Sequence, residues 1–150
     1  MKNFSSTDQD YNLWVLLNQT SDLILKARRK ELGQYGILPV QAALLSVVKA
    51  IGHKAGLVDI SQRLFREPNS VTCLVNRMEK AGLVRKSKGL GRKKIRVTLT
   101  KKGEQAYHQS IRQRSIRQIM ASLSEVERQQ LASSLQTLWD EATKRADGSD

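Results

Sequence analysis

Apolar residues recur at helical spacing from the start of the chain. Leu13, Leu16, Leu17, Ile24 and Ala27 predict a helix from Tyr11 to about Glu31. It ends in the basic cluster Lys26, Arg28, Arg29 and Lys30, which suits the negative pole of a helix C-terminus, and Gly33 and Gly36 then break it. Pro39 opens a second helix, where its missing N–H costs nothing, and Leu44, Val47, Val48 and Ile51 mark the buried stripe. A short third helix is expected from Asp59, as N-cap, to about Phe65, and a fourth from Pro68 to about Ala81, with Gly82 as its stop. The period then changes to two. Ile95, Val97 and Leu99 alternate with Lys94, Arg96 and Thr98, a half-buried strand whose partner is Leu83–Ser87, with Gly89 and Gly91 in the turn. Thr100 caps a long helix with the inner stripe Ile116, Ile119, Met120 and Leu123. Ser124 and Glu127 form a capping box that starts a last helix, with Leu131, Leu135, Leu138, Trp139 and Ala142 on one face. The fold class is mainly α with a small β-hairpin wing, a winged helix–turn–helix flanked by N- and C-terminal helices.

Composition sharpens this picture in two places. With 150 residues, 39% of them hydrophobic, the chain suits one globular domain. Its formal net charge of +12 favours a polyanionic partner. The excess is local: nine Lys or Arg lie between Arg85 and Lys102 with no Asp or Glu among them. A single cysteine, Cys73, rules out an intramolecular disulfide and fits a reducing compartment. No apolar run nears the ~20 residues that cross a bilayer, and Met1–Asp10 lacks an apolar signal region. A cytoplasmic location with no membrane partner is the expectation.

The fourth helix buries Val71, Leu74, Val75 and Met78, at i, i+3, i+4 and i+7. Asn69, Ser70, Thr72, Cys73, Asn76, Arg77 and Lys80 then face outward. In a winged helix–turn–helix this is the element that enters the major groove, so double-stranded DNA is the expected partner. Asn76 suits an adenine edge in bidentate fashion, and Arg77 suits guanine or phosphate. Ser70 and Thr72 suit phosphate or a thymine methyl. In the hairpin, Lys86, Lys88, Arg92 and Lys93 are the candidates for gripping the backbone.

The run SVTCLVNRMEKAGLV (Ser70–Val84), the basic wing after it and LTKKG (Leu99–Gly103) resemble the MarR family of bacterial and archaeal regulators, and the order of elements matches over nearly the whole chain. The resemblance implies a single domain over 1–150, with dimerisation helices at 11–35 and 101–145 and a DNA-binding lobe at 39–100. It also implies a homodimer, and Trp14, Leu135, Leu138 and Trp139 independently supply more apolar surface than a small winged-helix core absorbs. A two-fold dimer in turn implies a pseudo-palindromic operator with half-sites about 10 bp apart. The family's wing carries an acidic residue and then an arginine two positions later, where this chain has Gly91 and Lys93, so the usual brace in the wing is missing. The residue that enters the minor groove is open between Arg92 and Lys93, and the weaker hydration of a guanidinium favours Arg92. Relatives are most often repressors, released by small aromatic or phenolic ligands bound between the dimerisation helices and the winged helix. Here Trp14, Leu17, Leu44, Val48 and Ile111 are the candidate walls, and they suit a core equally well.

Other chemistry is sparse. Cys73 near a helix N-terminus invites a redox role, although a passive small residue explains it as well. His53 and His108 are far apart in sequence and lack the spacing of a metal site. No Gly-rich phosphate loop, nucleophile elbow or paired-carboxylate motif appears, so no cofactor and no enzymatic activity are expected. Two functions compete with the regulator: an architectural or non-specific DNA-binding protein that uses only its charge, and an adaptor whose winged helix binds protein.

Overall fold

The computed structural model describes residues 8–52, 55–89 and 94–148. These form two compact units, the first ending at Gln113 and the second starting at Arg114.

In the first unit, α1 (Gln9–Gly33) begins two residues before its expected start, because the Asp8 carboxylate accepts from the N–H groups of Asp10 and Tyr11 at 3.0 and 3.1 Å. Leu32 is the only buried residue along its 25 positions. Gly36, at φ +68°, turns the chain into α2 (Pro39–Ile51), which buries Ala42, Leu44, Leu45 and Val48. The next helix, α3 (Leu57–Leu64), starts two residues ahead of the expected Asp59 cap. Gly56 holds the cap position and its carbonyl accepts from Ile60 N–H at 3.0 Å. Asp59 lies instead in the first turn, where a carboxylate still complements the exposed N–H groups.

The turn after α3 is closed from both sides. Phe65 adopts the left-handed conformation, Arg66 N–H donates to Ser61 O at 3.1 Å, and the buried Ser61 hydroxyl donates to Arg66 O at 2.5 Å. This short connection fixes the start of α4 (Pro68–Lys80), which packs Val71, Val75 and Met78 into the core with no exposed surface. Gly82, at φ +76°, then aims the chain into β1 (Val84–Lys88). It pairs antiparallel with β2 (Ile95–Leu99), in the register Val84 to Leu99 through Lys88 to Ile95. A third segment, absent from the pattern reading, joins this hairpin: Ala55 O accepts from Val97 N–H at 2.8 Å. Val97 is fully buried, whereas Ile95 is 38% exposed, so only part of the strand's alternation meets the core.

Thr100 caps α5 (Lys101–Ser110) as expected, accepting from Gly103 N–H at 3.0 Å. The long helix expected from Thr100 to Leu123 is instead two. The Ser110 carbonyl, which would accept from residue 114 in a continuous helix, takes the Arg28 guanidinium at 2.9 Å, and Gln113 turns to φ +49°. Arg28 also pairs with Glu31 at 3.2 Å, so a largely buried guanidinium ties α1 to the end of α5.

The second unit holds α6 (Arg114–Met120) and α7 (Glu125–Ala146). The capping box is present: Ser124 Oγ accepts from Glu127 N–H at 3.2 Å, and Glu127 Oε1 accepts from Ser124 N–H at 3.0 Å. Those bonds hold the Glu127 carboxyl below its ordinary value of 4.5. None of the 22 residues of α7 is buried, and Leu131, Leu135, Leu138 and Trp139 are 39–51% exposed. An apolar stripe left this open needs a partner.

Candidate nucleic-acid interface

The core-facing side of α4 is fixed by Val71, Val75 and Met78, with Leu74 half-buried beside them. Asn69, Ser70, Thr72, Cys73, Arg77 and Lys80 are all exposed, and Asn76 is half-buried. The outward set divides into two rows. Asn69, Ser70, Cys73 and Arg77 gather around a recess of about 390 Å³ that Arg66 also borders. Thr72 and Asn76 lie on the other row. The Thr72 hydroxyl donates back to Pro68 O at 3.0 Å, so its proton is already used and its methyl and oxygen lone pairs are what it offers.

Asn76 meets the wing. Lys86 Nζ donates to Asn76 Oδ1 at 2.5 Å, Lys86 N–H donates to Glu79 Oε2 at 2.8 Å, and Glu79 Oε1 lies 3.7 Å from the same ammonium. The ammonium expected to grip phosphate is therefore engaged inside the protein. Lys88 is exposed at the end of β1, and Gly89 N–H donates to Lys94 O at 2.6 Å. Arg92 and Lys93, with Leu90 and Gly91, lie outside the described residues, as does His53. Arg85 and Lys94 are exposed and Arg96 is half-buried, so the described part of the hairpin keeps a positive surface.

Pattern reading singled out neither Arg66 nor Glu79. Arg66 sits in the turn just ahead of α4, where a cation in a helix–turn–helix faces the same ligand as the helix start. That position was the available signal. Glu79, an acid between Arg77 and Lys80 in the sequence, finds its reason only in the fold, where it anchors β1 to α4.

The five expected cleft residues differ in burial. Leu44 is 0% and Val48 2% exposed, so both belong to the core, and Leu44 offers a ligand no surface. Trp14 and Leu17 are 58% and 41% exposed on α1, and Ile111 is the C-cap of α5. A different recess, about 460 Å³, opens between α1, α2 and α3. Leu25, Leu38, Val40 and Leu64 give it an apolar lining, and Arg29 and Arg66 bring two guanidinium groups with no acid among its walls. Among the described residues there is no group of three metal-ligating side chains, and no helix is long and apolar enough to cross a membrane.

The chain matches no protein-family model and no curated protein. Solved structures do match. The ligand-free organohalide-sensing transcriptional regulator RdhR is 27% identical, with a TM-score of 0.86 over 96% of this chain and 87% of that one. A MarR-family protein from Bacillus stearothermophilus is 26% identical, with a TM-score of 0.68 over 93% of this chain and all of the other. The chain is similar in sequence and fold to MarR-family transcriptional regulators. A mutant E. coli MarR complexed with operator DNA shares the fold at 16% identity, with a TM-score of 0.81 over 89% of this chain and 99% of that one. In this MarR-like fold the two quoted motifs fall on the outward helix α4 with its turn, and on the junction of β2 with α5. The glycine of LTKKG has a packing reason: a Cβ on Gly103 would overlap the Leu83 carbonyl oxygen and stand 3.0 Å from its carbon.

Proposed function

We propose that the chain is a sequence-specific, DNA-binding transcriptional regulator that acts as a homodimer and represses from a pseudo-palindromic operator until a small aromatic ligand releases it. The observation that carries this reading is the exposed polar face of α4, held by a rigid turn on one side and by the basic hairpin on the other. Asn69, Ser70, Cys73, Asn76 and Arg77 face the groove floor and its edges, while Lys80, Lys88, Arg92 and Lys93 supply the sequence-independent attraction to phosphate. Arg66 joins this set from the preceding turn. The family likeness points the same way: its solved members are transcriptional regulators, and this reading gives the chain no catalytic role.

Dimerisation follows from what each unit leaves open. Along α1, Leu13, Trp14, Leu17 and Leu23 are 41–66% exposed, and α7 exposes its own apolar stripe. Covering each such side chain contributes up to ~1.5–3 kcal/mol, enough in aggregate for a stable pair of chains.

The ligand site in this reading is the recess between α1, α2 and α3. One solved form of RdhR is bound to 2,4-dichlorophenol. An aromatic phenolate or carboxylate fits apolar walls closed by Arg29 and Arg66. Arg66 borders both this recess and the one beside α4, so a ligand that draws its guanidinium inward shifts the population away from the DNA-bound arrangement. Selection from random duplexes tests the function. Recovery of two inverted half-sites about 10 bp apart supports it. Binding without sequence preference marks an architectural DNA-binding protein, and no binding at low salt marks an adaptor.

A further inference from the structure

Wing and outward helix are joined at Lys86. Lys86 of β1 donates to Asn76 Oδ1 at 2.5 Å, and Glu79 holds the same lysine through its backbone N–H at 2.8 Å and its ammonium at 3.7 Å. An ammonium has three donors and no acceptor, so the atom it meets on an amide is the oxygen. The two ends of Asn76, often interchangeable in a structure, are therefore distinct here. With the oxygen turned to the wing, the NH2 is the end left for a ligand, and half-burial restricts the amide from turning over.

We propose that Lys86 is a positioning residue that sets the base preference of Asn76, holding its amide donor-outward so that it selects guanine over adenine. The proposal rests on the reading of α4 as the groove-entering helix. Guanine offers two acceptors, N7 and O6, in the major groove, whereas adenine offers the N7 acceptor beside its N6 amino donor. A bidentate adenine contact needs the amide oxygen and nitrogen on one edge. Here the oxygen already lies against an ammonium, so an approaching N6 amino group, positive at its hydrogens, meets a like charge. Guanine O6 meets donors alone: the Asn76 NH2 and the remaining Lys86 protons. With its charge turned toward Glu79, Lys86 is a minor contributor to phosphate contact.

The test is selection from random duplexes with the full chain, its N76A variant and the variants K86M and K86R. The position that loses its preference in N76A is the one that Asn76 reads. The wild type is expected to enrich guanine there about 10-fold over adenine. K86M removes the ammonium but keeps an unbranched stem, and it is expected to shrink that ratio to about 2-fold or invert it, whereas K86R, which keeps a donor, retains guanine. The salt dependence of binding is expected to keep its slope in K86M, because a lysine spent on phosphate would lower the slope by about 0.9. Thermal melting checks that both lysine variants fold, and a K86M chain that melts early leaves K86R and N76A to decide between guanine and adenine. Adenine at that position in the wild type overturns the proposal, as does unchanged guanine preference in a folded K86M. A selective protein whose preferences ignore Asn76 overturns it alone, whereas a protein that selects no sequence overturns the DNA reading beneath it.

Discussion

Replacing Gly103 by alanine perturbs the place where the first turn of α5 rests on the backbone between α4 and β1. The added Cβ would overlap the Leu83 carbonyl oxygen and press to 3.0 Å on its carbon, and backbone atoms on both sides leave no rotamer to relieve it. The α5 start has to move outward. That movement loosens three hydrogen bonds: Thr100 N–H to Leu83 O at 3.1 Å, Gly103 N–H to the Thr100 hydroxyl at 3.0 Å, and the Thr100 hydroxyl to Gly82 O. At ~1 kcal/mol each, their loss costs ~3 kcal/mol. Alanine in a helix opposes this with a gain of ~1 kcal/mol over glycine. The expected net loss is therefore about 2 kcal/mol. Urea unfolding at one fixed chain concentration measures it, since a dimer's stability depends on concentration. Gly33→Ala is the matched control, because a Cβ there meets nothing within 4 Å and its φ is not positive. It should be neutral or more stable by up to ~1 kcal/mol. A G103A chain as stable as the wild type would refute the close-approach argument, and so would equal losses in both variants.

Three other perturbations follow from the same structure. Leu138→Lys puts a charge into the exposed stripe of α7 (Leu138 is 50% exposed) and should raise the dimer dissociation constant at least ~10-fold, read by analytical ultracentrifugation, with helical content kept. Arg29→Met or Arg66→Met should weaken binding of a chlorophenolate about 10-fold by calorimetry while leaving its apolar contacts in place. The Glu127 carboxyl, lowered in the folded chain by its bonds to Ser124, adds stability that is present above its ordinary 4.5 and is lost as pH falls through its folded value. Melting followed from neutral to acidic pH should therefore decline less in E127Q than in the wild type.

Periodicity made the outward face of α4 legible, because Val71, Val75 and Met78 have to share one side for a helix to bury them. The capping box at Ser124 and the cap at Thr100 were legible because each is a local exchange within one turn. Failures came where a distant residue decides. The break after Ser110 depends on Arg28, 82 positions earlier, taking a carbonyl that a continuous helix would have used. Leu44 and Val48 are apolar at helical spacing whether they line a cleft or fill a core, and only packing around them separates the two. Asn76 and Lys86 were each read alone, as a base contact and a phosphate contact. Their pairing depends on how the hairpin returns against α4, which a count along the chain does not contain. The strand bounds were legible to within one residue, because Gly82 ends α4 just before β1 and the alternation around Val97 marks β2.

The central claim, that this chain reads sequence through α4 rather than binding DNA by charge alone, is tested most directly by a salt titration. The affinity of the full chain for its selected duplex is measured against a scrambled duplex of equal length, for the wild type and R77A. The account predicts a wild-type preference of ~10³ or more that survives as salt rises while both affinities fall, and a narrower preference in R77A. Equal affinity for the two duplexes at every salt concentration would contradict it.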